Sequence, residues 1–259
     1  GMINEIVAEC DVDLAHAGGP GSPGVAAVLD GHEGALARAI TQIETGRDEP
    51  GLLAAVRDGA ARSAVPVLGV TCTGGSGKSS LTDELLRRLR QDGQDTLRIA
   101  VLAVDPTRRR GGGALLGDRI RMNSLASGRT FFRSLATRGA RTELPDHLTD
   151  VIAACRAGFD LVIVETPGIG QGDAAIADLA DVSLYVMTPE FGAATQLEKI
   201  DMLDVADAVA VNKVERQLTA GGEDARRDVA RQLVRNREAF AVDWRDLPVF
   251  GTSAARFGD

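Results

Sequence analysis

The run Cys72-Thr73-Gly74-Gly75-Ser76-Gly77-Lys78-Ser79 constrains this chain more than any other stretch. An apolar segment, Pro66 to Val70, precedes it, and a helix-like segment, Leu81 to Leu89, follows it. Strand, glycine loop, Gly-Lys-Ser and helix, in that order, make a cradle for nucleotide phosphates. Glycines let the backbone curl so that several N–H groups converge on one phosphate group. On this reading Gly74, Gly75, Ser76, Gly77, Lys78, Ser79 and Ser80 surround the phosphates. Lys78 reaches the outer phosphates as a point charge, and Ser79 offers its hydroxyl to Mg²⁺. Cys72 stands where such loops usually open with glycine, and what a side chain costs there depends on the local φ. A glycine turn that only links a strand to a helix has no need of the lysine and serine.

The rest of the chain has room for one large α/β domain and an appendage, with 259 residues, 44% of them hydrophobic. Aromatic residues make up only 3%, so the core must be built from Leu, Val, Ile and Ala. The net charge of −8 argues against a nucleic-acid binder, which would carry a basic face. Cys10, Cys72 and Cys155 are widely spaced and odd in number, which fits a reducing cytoplasm rather than a disulfide framework or a zinc site. His16, His32 and His147 are equally scattered. No run approaches the ~18 apolar residues of a membrane span, and the first residues lack the order of a signal peptide. Gly1-Met2 reads as a cleavage scar before a start residue, or as the cut end of a longer chain.

Residues 1–30 are rich in Gly, Ala and Pro and are expected to be a linker or a poorly ordered arm. Residues 31–63 read as a helical appendage: Ala35, Ala37, Ile40 and Ile43 recur at near-helical spacing, Gly46 and Pro50 interrupt, and Leu52, Leu53, Val56 and Ala60 resume. Residues 64–259 alternate strand and helix. Strands are predicted over Val67–Val70, Ile99–Val104, Leu161–Glu165, Leu184–Thr188, Ala208–Asn212 and Val249–Thr252. Helices are predicted over Ser80–Gln91, Leu144–Ala157, Ala174–Leu179, Gln196–Val205 and Glu223–Ala239. Continuous apolar strands suit a parallel sheet covered on both faces. The expected fold is therefore a doubly wound, mostly parallel α/β sheet with an N-terminal helical appendage, and its ligand site lies at the carboxyl ends of the strands.

Chemically informative residues fall just past those strand ends. Asp105, in Val104-Asp105-Pro106, can hold a Mg²⁺-bound water or orient an attacking water, although a turn aspartate would look the same. Arg108-Arg109-Arg110 and the glycines after it read as a cationic switch loop, and Asp118 is a further acid near the metal. In Glu165-Thr166-Pro167-Gly168 the acid would hold Mg²⁺ through water, while the Gly168 N–H would meet the γ-phosphate and move when it leaves. The residue after Gly168 is Ile169 rather than a water-orienting Gln, and Gln171 lies further on, so intrinsic hydrolysis is expected to be slow. Asn212-Lys213-Val214-Glu215 resembles the Asn-Lys-x-Asp motif that reads guanine: a carboxylate accepts from N1–H and the 2-amino group, and the lysine stem covers the base. Glu215 keeps the charge on a side chain longer by one methylene. Ser253 and Ala254 would bring backbone to the base carbonyl. Asp30-Gly31-His32 fails the Asp-x-His-x-x-Gly cobalamin signature, because Gly34 comes one position early.

The run Gly112-Gly113-Ala-Leu-Leu-Gly117-Asp118-Arg119-Ile-Arg121-Met122 is long and unusual. Together with Asp105-Pro106, Glu165-Thr166-Pro-Gly-Ile-Gly170-Gln171 and Asn212-Lys213, it resembles the metallochaperone-related P-loop GTPases of the MeaB/ArgK type, which serve adenosylcobalamin-dependent acyl-CoA mutases. Within that family, Phe131-Phe-Arg133, Thr188-Pro-Glu-Phe-Gly192 and Asp228 to Phe240 resemble the G-domain embedded in fused isobutyryl-CoA mutases. The resemblance covers roughly residues 65–257. It implies a Mg²⁺-dependent GTPase that binds GTP and GDP and gates cobalamin loading or protection of a mutase, in trans or as a fused domain. Cobalamin would enter only through that partner. It further implies that Ser79, Asp105, Asp118 and Glu165 surround the metal, and that residues Glu190 to Lys199 signal to the mutase.

The chain ends five residues after Ala254, so it reads as an excised G-domain or a minimal free-standing version. A homodimer is compatible with the sequence. Lys78, Asp105 and Glu165 are the expected catalytic residues. Two other readings stay open: a weakly or non-hydrolysing docking module for a mutase, favoured by Cys72, Ile169 and Glu215, and an ATP-dependent kinase-like P-loop enzyme.

Overall fold

The computed structural model describes residues 24–47, 50–105, 122, 124, 128–137, 144–168, 171–191, 197–198, 200–216 and 221–254. The chain divides into two compact units, one of residues 1–64 with 147–158 and one of residues 65–146 with 159–259.

The first unit is helical: α1 (Val25–Leu29), α2 (Glu33–Thr45), α3 (Leu52–Ala61) and α5 (Leu148–Arg156). Its helices bury apolar residues at helical spacing, as in Leu36, Ile40 and Ile43 of α2. The Arg57 guanidinium donates to the Asp150 carboxylate at 2.6 Å, which joins α3 to α5. Two sequence expectations change here. The end of the expected arm is helical at α1, where Val28 is fully buried. The helix predicted from Leu144 starts only at Leu148; Pro145 disfavours helical geometry for the residue before it.

The second unit contains β1 (Val67–Cys72), α4 (Lys78–Asp92), β2 (Ile99–Asp105), β3 (Thr130–Ala136), β4 (Leu161–Glu165), β5 (Val182–Met187), α6 (Met202–Val205), β6 (Ala208–Asn212), α7 (Gly221–Asn236) and β7 (Val249–Thr252). The seven strands form one sheet in the order β3-β2-β4-β1-β5-β6-β7, and every pairing is parallel. Strands β2 to β4 lie on one side of β1 and β5 to β7 on the other. The expected doubly wound parallel sheet is borne out, with the glycine loop at the carboxyl end of its central strand.

Strand alternation sorts the core into two layers. Val186 and Ala210 point to one face and pack with Val70, Ile163 and the α4 residues Leu81 and Leu86. Their neighbours Tyr185, Met187, Val209 and Val211 point to the other face and pack with Met202, Leu203, Val229 and Leu233 of α6 and α7. Strand β3 was not among the predicted strands. It is an edge strand whose run is interrupted by the half-buried Arg133 and Ser134, so a search for unbroken apolar runs passes over it. The helix predicted over Ala174–Leu179 is a tight 3-10 segment, Gln171–Ile176. Of the helix predicted over Gln196–Val205, Leu197 and Met202–Val205 are helical, and residues 196 and 199 lie outside the described residues.

A repeated device pins the amino ends of the strands. An aspartate just before one strand accepts from a backbone N–H at the start of its neighbour: Asp181 from Val67 at 2.8 Å, Asp160 from Arg98 at 2.8 Å, and Asp207 from Ser183 at 2.7 Å. The first N–H groups of a parallel strand otherwise lack ladder partners. Among the described residues no helix is long and apolar enough to cross a membrane.

Candidate nucleotide site

Cys72 is the last residue of β1 and pairs with Val186 of β5. It keeps strand geometry, and its φ is not positive, so a side chain is tolerated where the sequence pattern expects glycine. Beyond it the Thr73 N–H donates to the Val186 carbonyl at 3.1 Å, and the Ser76 N–H closes a turn onto the Thr73 carbonyl at 3.2 Å. Gly75 and Gly77 adopt φ of 75° and 87°, in the left-handed region that favours glycine. A Cβ on Gly77 would also lie 2.9 Å from Asn212 Nδ2. Helix α4 begins at once, with no side chain capping its amino end. Its first amides therefore remain turned outward, an arrangement suited to an anion.

The carboxyl end of β6 ties the glycine loop to the loop after β7. Asn212 is buried; its Nδ2 donates to the Ser76 carbonyl at 2.8 Å, and its Oδ1 accepts from Thr252 Oγ1 at 3.2 Å and from the Ala254 N–H at 3.4 Å. Lys213, at φ 63°, donates from Nζ to the Gly75 carbonyl at 2.5 Å. The lysine expected to lie along a base thus also braces the phosphate loop. Glu215 sits in the short turn Val214–Arg216. Its Oε2 is buried without a hydrogen-bond partner, as are Ser253 Oγ, Ser76 Oγ and Thr73 Oγ1. Such orphaned atoms are costly in a folded protein unless a ligand or water satisfies them. Ser253 and Ala254 also line a pocket of about 130 Å³ with Leu81 and Leu85 of α4.

The end of β4 approaches from the other side. Gly168 lies so close to β1 that a Cβ there would fall 1.8 Å from the Cys72 carbonyl oxygen. Glu165 is fully buried. Its Oε2 lies 3.1 Å from Lys78 Nζ, and its Oε1 accepts from Thr82 Oγ1. Asp105 is buried at the end of β2. Ala103 pairs with Glu165, so Asp105 falls one pleat further along the same face of the sheet. Ser79 is half-buried and Ser80 exposed in the first turn of α4. The structure therefore gathers the glycine loop, Lys78, Glu165, Gly168, Asn212, Lys213, Ser253 and Ala254 at one end of the sheet. Asp118, Arg108 to Arg110 and Ile169 lie outside the described residues.

Sequence reasoning did not single out Thr82. Thr82 stands four residues after Lys78, hence on the same helix face, and that spacing was the available signal.

No group of three or more His, Cys, Asp or Glu among the described residues forms a metal cage. The donors present are hard oxygens: the Ser79 hydroxyl and the Asp105 and Glu165 carboxylates. Glu165 Oε2 makes an ionic contact but no hydrogen bond. This set fits Mg²⁺, which keeps several waters and is held by few protein ligands together with substrate phosphates.

A family model described as methylmalonyl-CoA mutase-associated GTPase MeaB matches residues 36–258. The chain belongs to the MeaB family of GTPases. The resemblance read from the sequence is thereby borne out. The fused isobutyryl-CoA mutase of Nocardia farcinica is 66% identical over the whole of this chain, which covers 24% of that protein. The fused isobutyryl-CoA mutase of Cupriavidus metallidurans is 57% identical, again over the whole chain and 23% of the relative. The chain thus spans about a quarter of the length of these relatives. Among solved structures, a LAO/AO transport system kinase superposes with a TM-score of 0.60 at 23% identity, covering 93% of this MeaB-family chain and 69% of the kinase. The hydrogenase maturation factor HypB from Archaeoglobus fulgidus gives 0.52 at 16% identity, covering 84% and 90%. At such identities the likeness shows the fold alone.

Proposed function

We propose that this chain is a Mg²⁺-dependent switch domain that binds GTP, hydrolyses it slowly, and passes its nucleotide state to an adenosylcobalamin-dependent acyl-CoA mutase, gating cobalamin loading or protection. The observation that carries the base preference is the buried, unpartnered Oε2 of Glu215, three residues beyond Asn212 in the chain. Guanine presents N–H donors at N1 and at its 2-amino group, and a carboxylate accepts both. Adenine presents a lone pair at N1, which a carboxylate repels. Amides of residues 74–79 hold the phosphates, and Lys78 moves from Glu165 to the outer phosphates. Mg²⁺, when bound, would supply positive charge to the nucleotide phosphates. Ser79, Glu165 and Asp105 would hold it, and Asp118 is a further proposed holder. Asp105 is also the proposed orienter of the attacking water.

The relatives named as fused isobutyryl-CoA mutases support a mutase partner, fused or separate. The wide spacing and odd number of Cys10, Cys72 and Cys155 support a cytoplasmic setting. The test is calorimetric titration, with Mg²⁺, of GDP, a non-hydrolysable GTP analogue and its ATP equivalent. Micromolar guanine binding is expected, with adenine weaker by about 100-fold or more, and Glu215→Gln should narrow that gap, since a site built around hydrogen bonds rejects an analogue that cannot make them. No binding of any nucleotide moves the reading to a docking module, and ATP preference moves it to a kinase-like enzyme. Coupling is read separately, as a change in GTP turnover on adding the mutase.

A further inference from the structure

Thr82 is a fully buried polar residue on the second turn of α4, and its hydroxyl is directed at the carboxylate of Glu165. The two oxygens of that carboxylate have different partners. Oε1 accepts from Thr82 Oγ1, a neutral donor anchored to the helix backbone. Oε2 faces the Lys78 ammonium at 3.1 Å, a cation on a flexible stem. Lys78 and Thr82 are i and i+4, so one helix face presents both partners to the end of β4. Burying a carboxylate is costly unless it is paired or hydrogen-bonded. When Lys78 turns to nucleotide phosphates, Thr82 is the partner that remains.

We propose that Thr82 is a positioning residue: it tethers Oε1 of Glu165 so that Oε2, once Lys78 leaves, stays aimed at the metal-bound water. This rests on the nucleotide switch proposed above. The tether also accounts for the length of the acid. Glutamate has one more rotatable bond than aspartate, and a hydroxyl whose own χ1 is restricted by β-branching removes that freedom.

The test uses the full 259-residue chain with Thr82→Val, which keeps the shape and removes the donor, Thr82→Ser, which keeps the donor, and Thr82→Ala, which removes it with less steric demand. Affinity for a fluorescent non-hydrolysable GTP analogue is followed against Mg²⁺ concentration and in EDTA. Thr82→Val and Thr82→Ala should raise the half-saturating Mg²⁺ by about tenfold or more, the scale of losing a hydrogen bond to a charged group. Thr82→Ser should stay within about threefold of the parent, and affinity in EDTA should change little in all three. In a Glu165→Gln background, Thr82→Ala should have no further effect on the Mg²⁺ response. An unaltered Mg²⁺ response in Thr82→Val and Thr82→Ala, an equal loss with and without Mg²⁺, or an additive effect with Glu165→Gln overturns the tether. If those variants keep the parent's Mg²⁺ response while the parent binds guanine nucleotide, the tether alone fails. If the parent binds no guanine nucleotide, the switch reading fails and takes the tether with it.

Discussion

Lys78 and Glu165 show how one residue's effect depends on what it leaves behind. Removing Lys78 strands a fully buried carboxylate, and breaking a buried pair from one side costs about 3–5 kcal/mol. Lys78→Met should therefore lower stability to chemical denaturation without nucleotide, and Lys78→Met with Glu165→Gln should recover most of the loss. Recovery separates charge stranding from mere loss of packing. Gly168 makes a different point. A methyl group there meets the Cys72 carbonyl, not only the Cys72 sulfur 2.7 Å away. Gly168→Ala should cost about 1–3 kcal/mol by overpacking, measured as a fall in denaturation midpoint. Adding Cys72→Gly should not restore it, because the backbone obstacle remains. Burial pushes the Cys155 thiol up to about 12. It should resist alkylation in the native chain and react once the chain is unfolded.

At the scale of elements, the strands are set at both ends by different chemistry. Aspartates hold the amino ends, and glycines and ligand-seeking groups occupy the carboxyl ends. Ser183 and Asp207 form a reciprocal pair: Asp207 Oδ2 accepts from both the N–H and the hydroxyl of Ser183, and the Asp207 N–H donates back to Ser183 Oγ at 3.0 Å. The Ser183 backbone N–H first, and its hydroxyl second, hold the Asp207 carboxyl below the usual carboxylate range. Its contribution to stability is thus complete above the unfolded value of about 3.9 and is lost as pH falls through the lower folded value. Ser183→Ala should cost about 1–2 kcal/mol at neutral pH. Asp207→Asn should flatten the decline in urea midpoint below about pH 4 relative to the parent chain. Strand β3 belongs here as well. The run Thr130-Phe131-Phe132 has strand-forming residues and is buried on both faces, but the half-buried Arg133 and Ser134 break the apolar run that identifies the other strands.

At the scale of the whole chain, the proposed site links ligand to stability. Mg²⁺ with GDP at 100 times its dissociation constant should stabilise by about 2.7 kcal/mol, or roughly 5–10 °C in melting temperature for a chain of this size. The shift should appear in scanning calorimetry, in the transition of the unit formed by residues 65–146 and 159–259. Failure of guanine nucleotides to raise it, under conditions where they bind, would place their contacts outside that unit.

The order of local signals decided most of the architecture without help. Apolar runs alternating with helical periodicity admit few solutions besides a parallel sheet with its loops gathered at one end, and Gly-Lys-Ser marks the loop proposed to meet phosphate. Those signals are local because helix and strand periodicity, glycine φ and phosphate cradling are all properties of short segments. What the tertiary structure decided is which distant groups share atoms. Asn212 holds the Ser76 carbonyl, Lys213 the Gly75 carbonyl, and Thr82 one oxygen of Glu165. It also decided that Cys72 stands in a strand and not in a turn, which removed the objection its side chain raises in the sequence. Hydrogen bonds across 83 or 136 residues depend on strand order and register. Those are set by packing of the whole sheet and leave no periodic trace in the chain.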